Sequence, residues 1–172
     1  SEMCIRDRTI IYKDETFEED EYQDTYEKYT IVEPNDIIIN GLNLNYDFKS
    51  MRVGKVTENG IITSAYIVLR PYNNVYSDFF NYLFKAFDYR KFFHGMGKGI
   101  RLTLSFNELR YFEIPVPPID EQKKIAAYLD EKCAKIDAIL EKINTEVERL
   151  KELKRSLINE VVTGQRAIDT ES

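Results

Sequence analysis

The sequence predicts an α+β protein: a mixed, mostly-β domain followed by a long C-terminal coiled-coil α-helix. Three observations predict it. Short β-branched and aromatic runs separated by turn residues fill the chain from Tyr29 to Pro71, which is how strands read. A proline-rich connector, Ile114-Pro115-Val116-Pro117-Pro118, then stiffens the chain into extended geometry. From about Glu121 to Val162 there is neither Pro nor Gly, and apolar residues recur at alternating spacings of three and four, the mark of a coiled coil.

The N-terminus comes first. Met3-Cys4-Ile5-Arg6-Asp7-Arg8 lacks the apolar stretch and cleavage site of a signal peptide. It resembles a translated transposon end of the kind used to build sequencing libraries. Residues 1–8 are therefore expected to be a non-native leader, with the native sequence starting near Thr9 inside an N-terminally truncated domain. Residues 14–28 are acidic with interleaved aromatics and no clean period, and read as an exposed segment.

Beyond Tyr29 the elements become legible. Pro34-Asn35-Asp36 is a turn, because Pro fixes φ and the Asx side chains bond back to the backbone. Ile37-Ile38-Ile39 is a buried strand by its length and β-branching. An Asn-rich loop from Asn40 to Lys49 precedes a strand at Arg52–Val56. Asn59-Gly60 reads as a hairpin turn, and Ile61-Ile62 with Ala65–Leu69 reads as a strand pair ended by Pro71. Residues 77–93 change to helical spacing, with Ser77 as N-cap. Gly95-Met96-Gly97-Lys98-Gly99 must be a loop. A strand at Ile100–Leu104 and a turn or short helix at Phe106–Leu109 follow. Asp120 is the expected N-cap of the long helix and Gly164 its C′ glycine.

The heptad series of that helix runs through Leu129, Ile136, Ile143, Leu150 and Leu157, and through Cys133, Leu140, Val147, Lys154 and Val161. These positions, Lys154 excepted, are the expected helix-pairing interface. A helix of this length cannot bury the stripe against its own small domain, so it needs another helix.

Composition narrows the function classes. In 172 residues there is no apolar run near the ~20 that a membrane span needs. Two cysteines and one histidine cannot make a disulfide framework or a four-ligand zinc site, so no metal site is expected and a reducing compartment is the default. The net charge of −6 is unevenly spread. Residues 1–30 hold 10 acids against 4 bases, whereas residues 31–118 hold 8 against 10. The middle of the chain is mildly basic, and it is local charge that phosphates meet.

No catalytic constellation emerges. The glycine loop lacks the Gly-x4-Gly-Lys-Ser/Thr spacing of a phosphate loop, since residue 92 is Phe and Gly99 stands where Ser or Thr belongs. His94 beside it has no nucleophile elbow and no second histidine. The basic stretch Lys85–Arg101 is more informative, with five cations against Asp88 and with aromatics and glycines between. A second group, Lys49, Arg52 and Lys55, follows the Asn-rich loop. Arg and Asn read base edges and Lys sits on phosphates. On composition alone a solvated mixed surface explains these cations equally well.

Longer patterns go further. Gly97-x-Gly99-Ile100-Arg101-x-x-Leu104-x-Phe106-x-x-Leu109, followed by Ile114-Pro115-Val116-Pro117-Pro118-x-x-Glu121-Gln122-x-x-Ile125, closely resembles the specificity subunits of type I restriction-modification systems. The resemblance continues through Leu129-Asp130, Lys135-Ile136-Asp137, Leu150-Lys151-Glu152 and Ser156-Leu157-Ile158 to Val161-Val162-Thr163-Gly164. Asp36–Asn40 and Gly60–Tyr66 look like the same family's target-recognition domain. What the resemblance implies is a non-catalytic DNA-recognition subunit. In that family two recognition domains each read half of a bipartite site, two helices pack as a spacer, and methyltransferase and restriction subunits dock. S-adenosylmethionine, ATP and Mg would then belong to the partner subunits, with no cofactor bound by this chain, in a prokaryotic cytoplasm.

The expected organisation is a target-recognition domain at 9–118, a spacer helix at 119–164 and a tail at 165–172. One domain and one helix make either the C-terminal half of a truncated gene or a half-length subunit that homodimerises. The candidate DNA contacts are Lys49, Arg52, Lys91, Lys98 and Arg101, with Asn43, Asn45 and His94 as base readers. The alternative function is a coiled-coil protein–protein module that binds no nucleic acid.

Overall fold

A computed structural model describes residues 2–6, 9–13, 29–44, 51–100 and 102–166. It divides into two compact units, Ser1–Ala126 and Ala127–Ser172. The first unit is built on two small sheets. Strands β1 (Glu2–Arg6), β2 (Thr9–Lys13), β3 (Tyr29–Val32) and β6 (Gly60–Thr63) form one, in the order β2-β1-β6-β3. Strands β4 (Ile37–Asn40), β5 (Val53–Lys55) and β7 (Tyr66–Leu69) form the other, in the order β5-β4-β7. All pairs are antiparallel except β1 with β6, which meet in parallel at Glu2 and Ile61. From β3 onward the chain alternates between the sheets: β3 in the first, β4 and β5 in the second, β6 in the first, β7 in the second.

The triple isoleucine explains how the core sits. Successive strand side chains point to opposite faces, so Ile37 and Ile39 enter one apolar cluster while Ile38 enters another. The larger cluster is completed by Leu44, Val53, Phe79, Phe80, Phe84, Phe93, Leu104 and Leu109. The smaller holds Val32, Val56 and Ile62. Strand β4 is thus buried on both faces, as its unbroken β-branched run predicts. The turn before it forms as expected. Asn35 takes φ 77°, and the Asp36 carboxylate accepts the Glu33 N–H at 2.9 Å. Arg70 closes the same carboxylate from the end of β7, donating at 3.0 and 2.9 Å.

Helix α1 (Ser77–Tyr89) and a 3₁₀-helix (Phe92–Gly95) replace the single helix expected over 77–93. The break falls at Lys91, which takes φ 56°. Ser77 is not the N-cap: Tyr76 is, and the Ser77 hydroxyl donates instead to the Asn35 carbonyl at 2.6 Å. Helix α2 (Phe106–Leu109) is a single turn, and α3 (Ile119–Val162) has 44 residues, about 66 Å at ~1.5 Å per residue.

Four further expectations are corrected. Asn59-Gly60 makes no hairpin, because neither residue has a positive φ and the strands on either side belong to different sheets. For the same reason β6 and β7 are not partners. Of the expected strand at Ile100–Leu104, the described residues Ile100 and Leu102–Leu104 form none: Thr103 meets Lys98 through an isolated bridge, with Gly99 at φ 78° and Leu102 at φ 43°. Asp120 lies inside the first turn of α3, whose first bond is accepted by the Pro118 carbonyl from Gln122 at 3.0 Å. Gly164, at φ 74°, does end the helix, donating to the Val161 carbonyl at 3.2 Å.

Candidate nucleic-acid interface

Two segments far apart in sequence are welded side by side in the first unit. They are the turn at Asn40–Leu44 and the glycine loop at Gly95–Leu104. The Leu104 N–H donates to the Gly41 carbonyl at 2.9 Å, and the Leu44 N–H donates to the Leu102 carbonyl at 3.2 Å. The fit leaves no room for side chains at two glycines. A Cβ on Gly41 would lie 2.2 Å from the Leu104 oxygen, and one on Gly97 would lie 2.7 Å from Leu44 Cδ1. Inside the weld, Leu44 and Leu104 are anchored in the core beside Phe93. Outside it, Leu42, Asn43, Lys98 and Ile100 face solvent, Lys98 at 79% and Ile100 at 94% exposure.

The structure therefore brings together Asn43 and Lys98, two of the residues the sequence nominates. Lys98 Nζ pairs with Glu108 Oε1 at 3.3 Å at the rim of a cavity of about 490 Å³ lined by Met96, Asn107 and Tyr111. Glu108 is itself held by the Ser105 N–H at 3.0 Å and by the Ser105 hydroxyl. Those bonds and Lys98 hold its carboxyl down at about 2. The Ser-x-x-Glu pattern at 105–108 is a capping signature readable from sequence.

Lys91 is the N-cap of the 3₁₀-helix and His94 lies on it, both half-buried, with the His94 N–H donating to the Lys91 carbonyl at 3.1 Å. Asn45, Lys49 and Arg101 lie outside the described residues. Arg52 is a correction. It is 3% exposed, and its guanidinium donates inward to the carbonyls of Asn40 (3.3 Å), Leu42 (2.7 Å) and Asn43 (3.3 Å), so it presents nothing to a phosphate. The Arg52 N–H donates to Asp88 Oδ2 at 2.5 Å. Asp88 is fully buried at the end of α1, and burial pushes its carboxyl above the usual range against the pull of the Arg52 bond, Lys91, Arg52 and His94. In the sequence Asp88 is the one acid of the basic stretch Lys85–Arg101. Nothing in the local pattern shows its burial.

Gln122 is the other residue sequence reasoning did not place. Its amide is fully buried, accepting the Tyr76 N–H at 2.8 Å and donating to the carbonyls of Asn74 (3.0 Å) and Pro117 (2.8 Å). With Ala126 in the core, it fixes the first turns of α3 within the first unit.

The second unit is helix. Leu129, Cys133 and Val161 are half-buried, while Ile136, Leu140, Ile143, Val147, Leu150 and Leu157 are 41–55% exposed. Ile139 and Leu153, two heptads apart and beside this seam, are exposed as well. The apolar face is thereby wider than a strict two-position seam.

The first unit is thus a small two-sheet module with two hydrogen-bonded loops at its surface, and the second is a helix with an exposed apolar stripe. Residues 8–149 match the family model described as the type I restriction modification DNA specificity domain, and the chain belongs to that family. It is 29% identical over 100 residues to a protein of Methanocaldococcus jannaschii assigned as the MjaX type I restriction enzyme specificity subunit. That match covers 56% of this chain and 23% of the relative. In fold it is similar to a chain from the structure that describes complex assembly and conformational transition of the type I R-M system. There the TM-score is 0.61 and the identity 20%, over 76% of this chain and 31% of that one. A further similarity is to the HsdS subunit of Thermoanaerobacter tengcongensis, with a TM-score of 0.45 and 20% identity over 63% of this chain and 24% of that one. The chain thus spans about a quarter to a third of the length of the proteins it matches. Among the described residues no helix is long and apolar enough to cross a membrane.

Proposed function

We propose that this chain is the DNA-reading and assembly part of a type I specificity subunit. It reads one half of a bipartite duplex site with the first unit and pairs its long helix with a second spacer helix. Methyltransferase and restriction subunits dock on the assembly and bring S-adenosylmethionine, ATP and Mg. The chain itself performs no chemistry, and it works in a prokaryotic cytoplasm. The observation that supports the reading most is the welded loop pair, which holds an Asn capable of bidentate contact to adenine and an exposed Lys on one stiff surface. The exposed apolar face of α3 supports the assembly role, and the extra width at Ile139 and Leu153 suits docking of more than one helix.

The same stripe also favours a second reading, a coiled-coil protein–protein module with no nucleic-acid partner. Duplex binding measured against salt separates the two. Under the DNA reading log K falls linearly with log salt, and Lys98→Ala lowers the slope by ~0.9, one phosphate contact. Lys98→Ala with Arg101→Ala lowers it further. Salt-independent or absent duplex binding leaves the protein–protein module.

A further inference from the structure

A buried arginine must find acceptors for a fork of N–H donors that can never be neutralised. Arg52 finds three main-chain carbonyls within four residues, those of Asn40, Leu42 and Asn43. Carbonyls that close together converge only if the backbone curls around them. Here Asn43 takes φ 52°, and the Leu42 N–H turns back to Asn40 Oδ1 at 3.1 Å. The arginine is tethered in turn, its own N–H fixed by the buried Asp88 carboxylate at 2.5 Å. The outer side of the turn is held by Leu104 and Leu102 through the Gly41 and Leu44 bonds. The exposed tip, Leu42 and Asn43, thus has its backbone determined from inside by one side chain.

We infer that Arg52 is a positioning residue for sequence reading. Its guanidinium holds the Asn40–Leu44 turn in the conformation that presents Asn43 to a base, and it touches no DNA itself. The inference rests on the DNA reading proposed above. It has a distinctive signature. A residue that contacts phosphate contributes counterion release on any duplex. A residue that shapes a base-reading turn contributes only to the difference between the preferred sequence and others, since preorganisation matters where side chains must meet base edges.

The test uses the full chain and two duplex probes, one enriched by this chain from a random-sequence pool and one of mixed sequence. Arg52→Lys keeps the charge but replaces a fork with one ammonium that cannot span the three carbonyls. The expected result is a preference for the enriched over the mixed duplex reduced roughly tenfold or more, the scale of one lost base contact. Affinity for the mixed duplex and its salt slope should stay as in the wild type. A variant that simply loosened the whole fold would lower both affinities together. Asn40→Ala removes only the Leu42 anchor at the surface, and should shift the preference in the same direction with the slope unchanged. It decides the question if Arg52→Lys does not fold. A slope lowered by ~0.9 in Arg52→Lys, as for a phosphate contact, overturns the inference, as does an undiminished preference in the variants that fold. If the wild-type chain enriches no sequence, the DNA reading fails and the inference falls with it. If the wild type enriches a sequence and the variants keep it, the inference alone falls.

Discussion

At Glu108 one carboxylate oxygen takes both the N–H and the hydroxyl of Ser105, while the other meets the Lys98 ammonium at 3.3 Å. Three donors favour the charged form, and the carboxyl titrates at about 2. Because the folded value is depressed, the stabilisation is complete above the unfolded carboxyl range of ~4.3 and is lost as pH falls through the folded value. A carbon-detected titration of Glu108 should therefore show a midpoint near 2, with the chemical shift of the Ser105 amide proton moving over the same fall in pH. In Ser105→Ala, where the hydroxyl donor is missing, the midpoint should move up toward the ordinary carboxyl value. An unmoved midpoint would mean that the capping bonds are not what holds it. Asp88 is driven the other way. It sits at the C-terminal turn of α1, where the helix dipole opposes an anion, and burial raises its carboxyl. Two acids thus shift in opposite directions, one capping a single-turn helix and the other buried against the Arg52 backbone.

Between elements, the decisive groups are those that leave no polar atom stranded. Gln122 satisfies one N–H and two carbonyls of the 74–76 and Pro117 backbone from a fully buried position. Gln122→Ala would take a partner from all three, the half-buried Tyr76 N–H and Pro117 carbonyl and the more exposed Asn74 carbonyl, and is expected to cost about 2 kcal/mol of unfolding free energy, read from urea denaturation. A cost below about 1 kcal/mol would show that those groups find other partners. How much of the architecture was legible depends on how local its cause is. Ile37-Ile38-Ile39 is a strand because of its own side chains, and the glycine-free heptad run is a helix because of its own spacing, so both were readable. Asn59-Gly60 looks like a hairpin turn, but whether strands pair across a turn depends on distant partners: here β6 takes β3 and β7 takes β4. Ile100 alternates like a strand residue yet is 94% exposed, because its neighbours spend their bonds closing a tight loop. The candidate surface was half legible. Asn43 and Lys98 could be nominated from residue chemistry. Arg52 was misplaced, since only the three-dimensional path of residues 40–43 turns its charge inward.

For the whole molecule, the question is what covers a helix face on which Ile136, Ile143 and Leu150 are each more than half exposed. Exposed apolar rows of this length are association surfaces. Sedimentation at several concentrations should give a dimer that Ile143→Asp dissociates, if the chain completes its seam with a second copy. A wild-type monomer unaffected by the substitution would mean that the seam is completed by a different helix. The two sheets carry a consequence of their own. Each of the pairings that complete them, β3 with β6 and β4 with β7, spans about thirty residues, and the chain crosses between sheets for every one. A nascent chain ending at Lys55 could hold only the β1–β2 and β4–β5 pairs, with β3 still waiting for a neighbour. The two sheets therefore close almost together, once the stretch from Gly60 to Leu69 is available. Completion of the two sheets is thus a non-local step that follows the more local β1–β2 and β4–β5 pairings, and long-range pairing of this kind places a small domain among the slower folders.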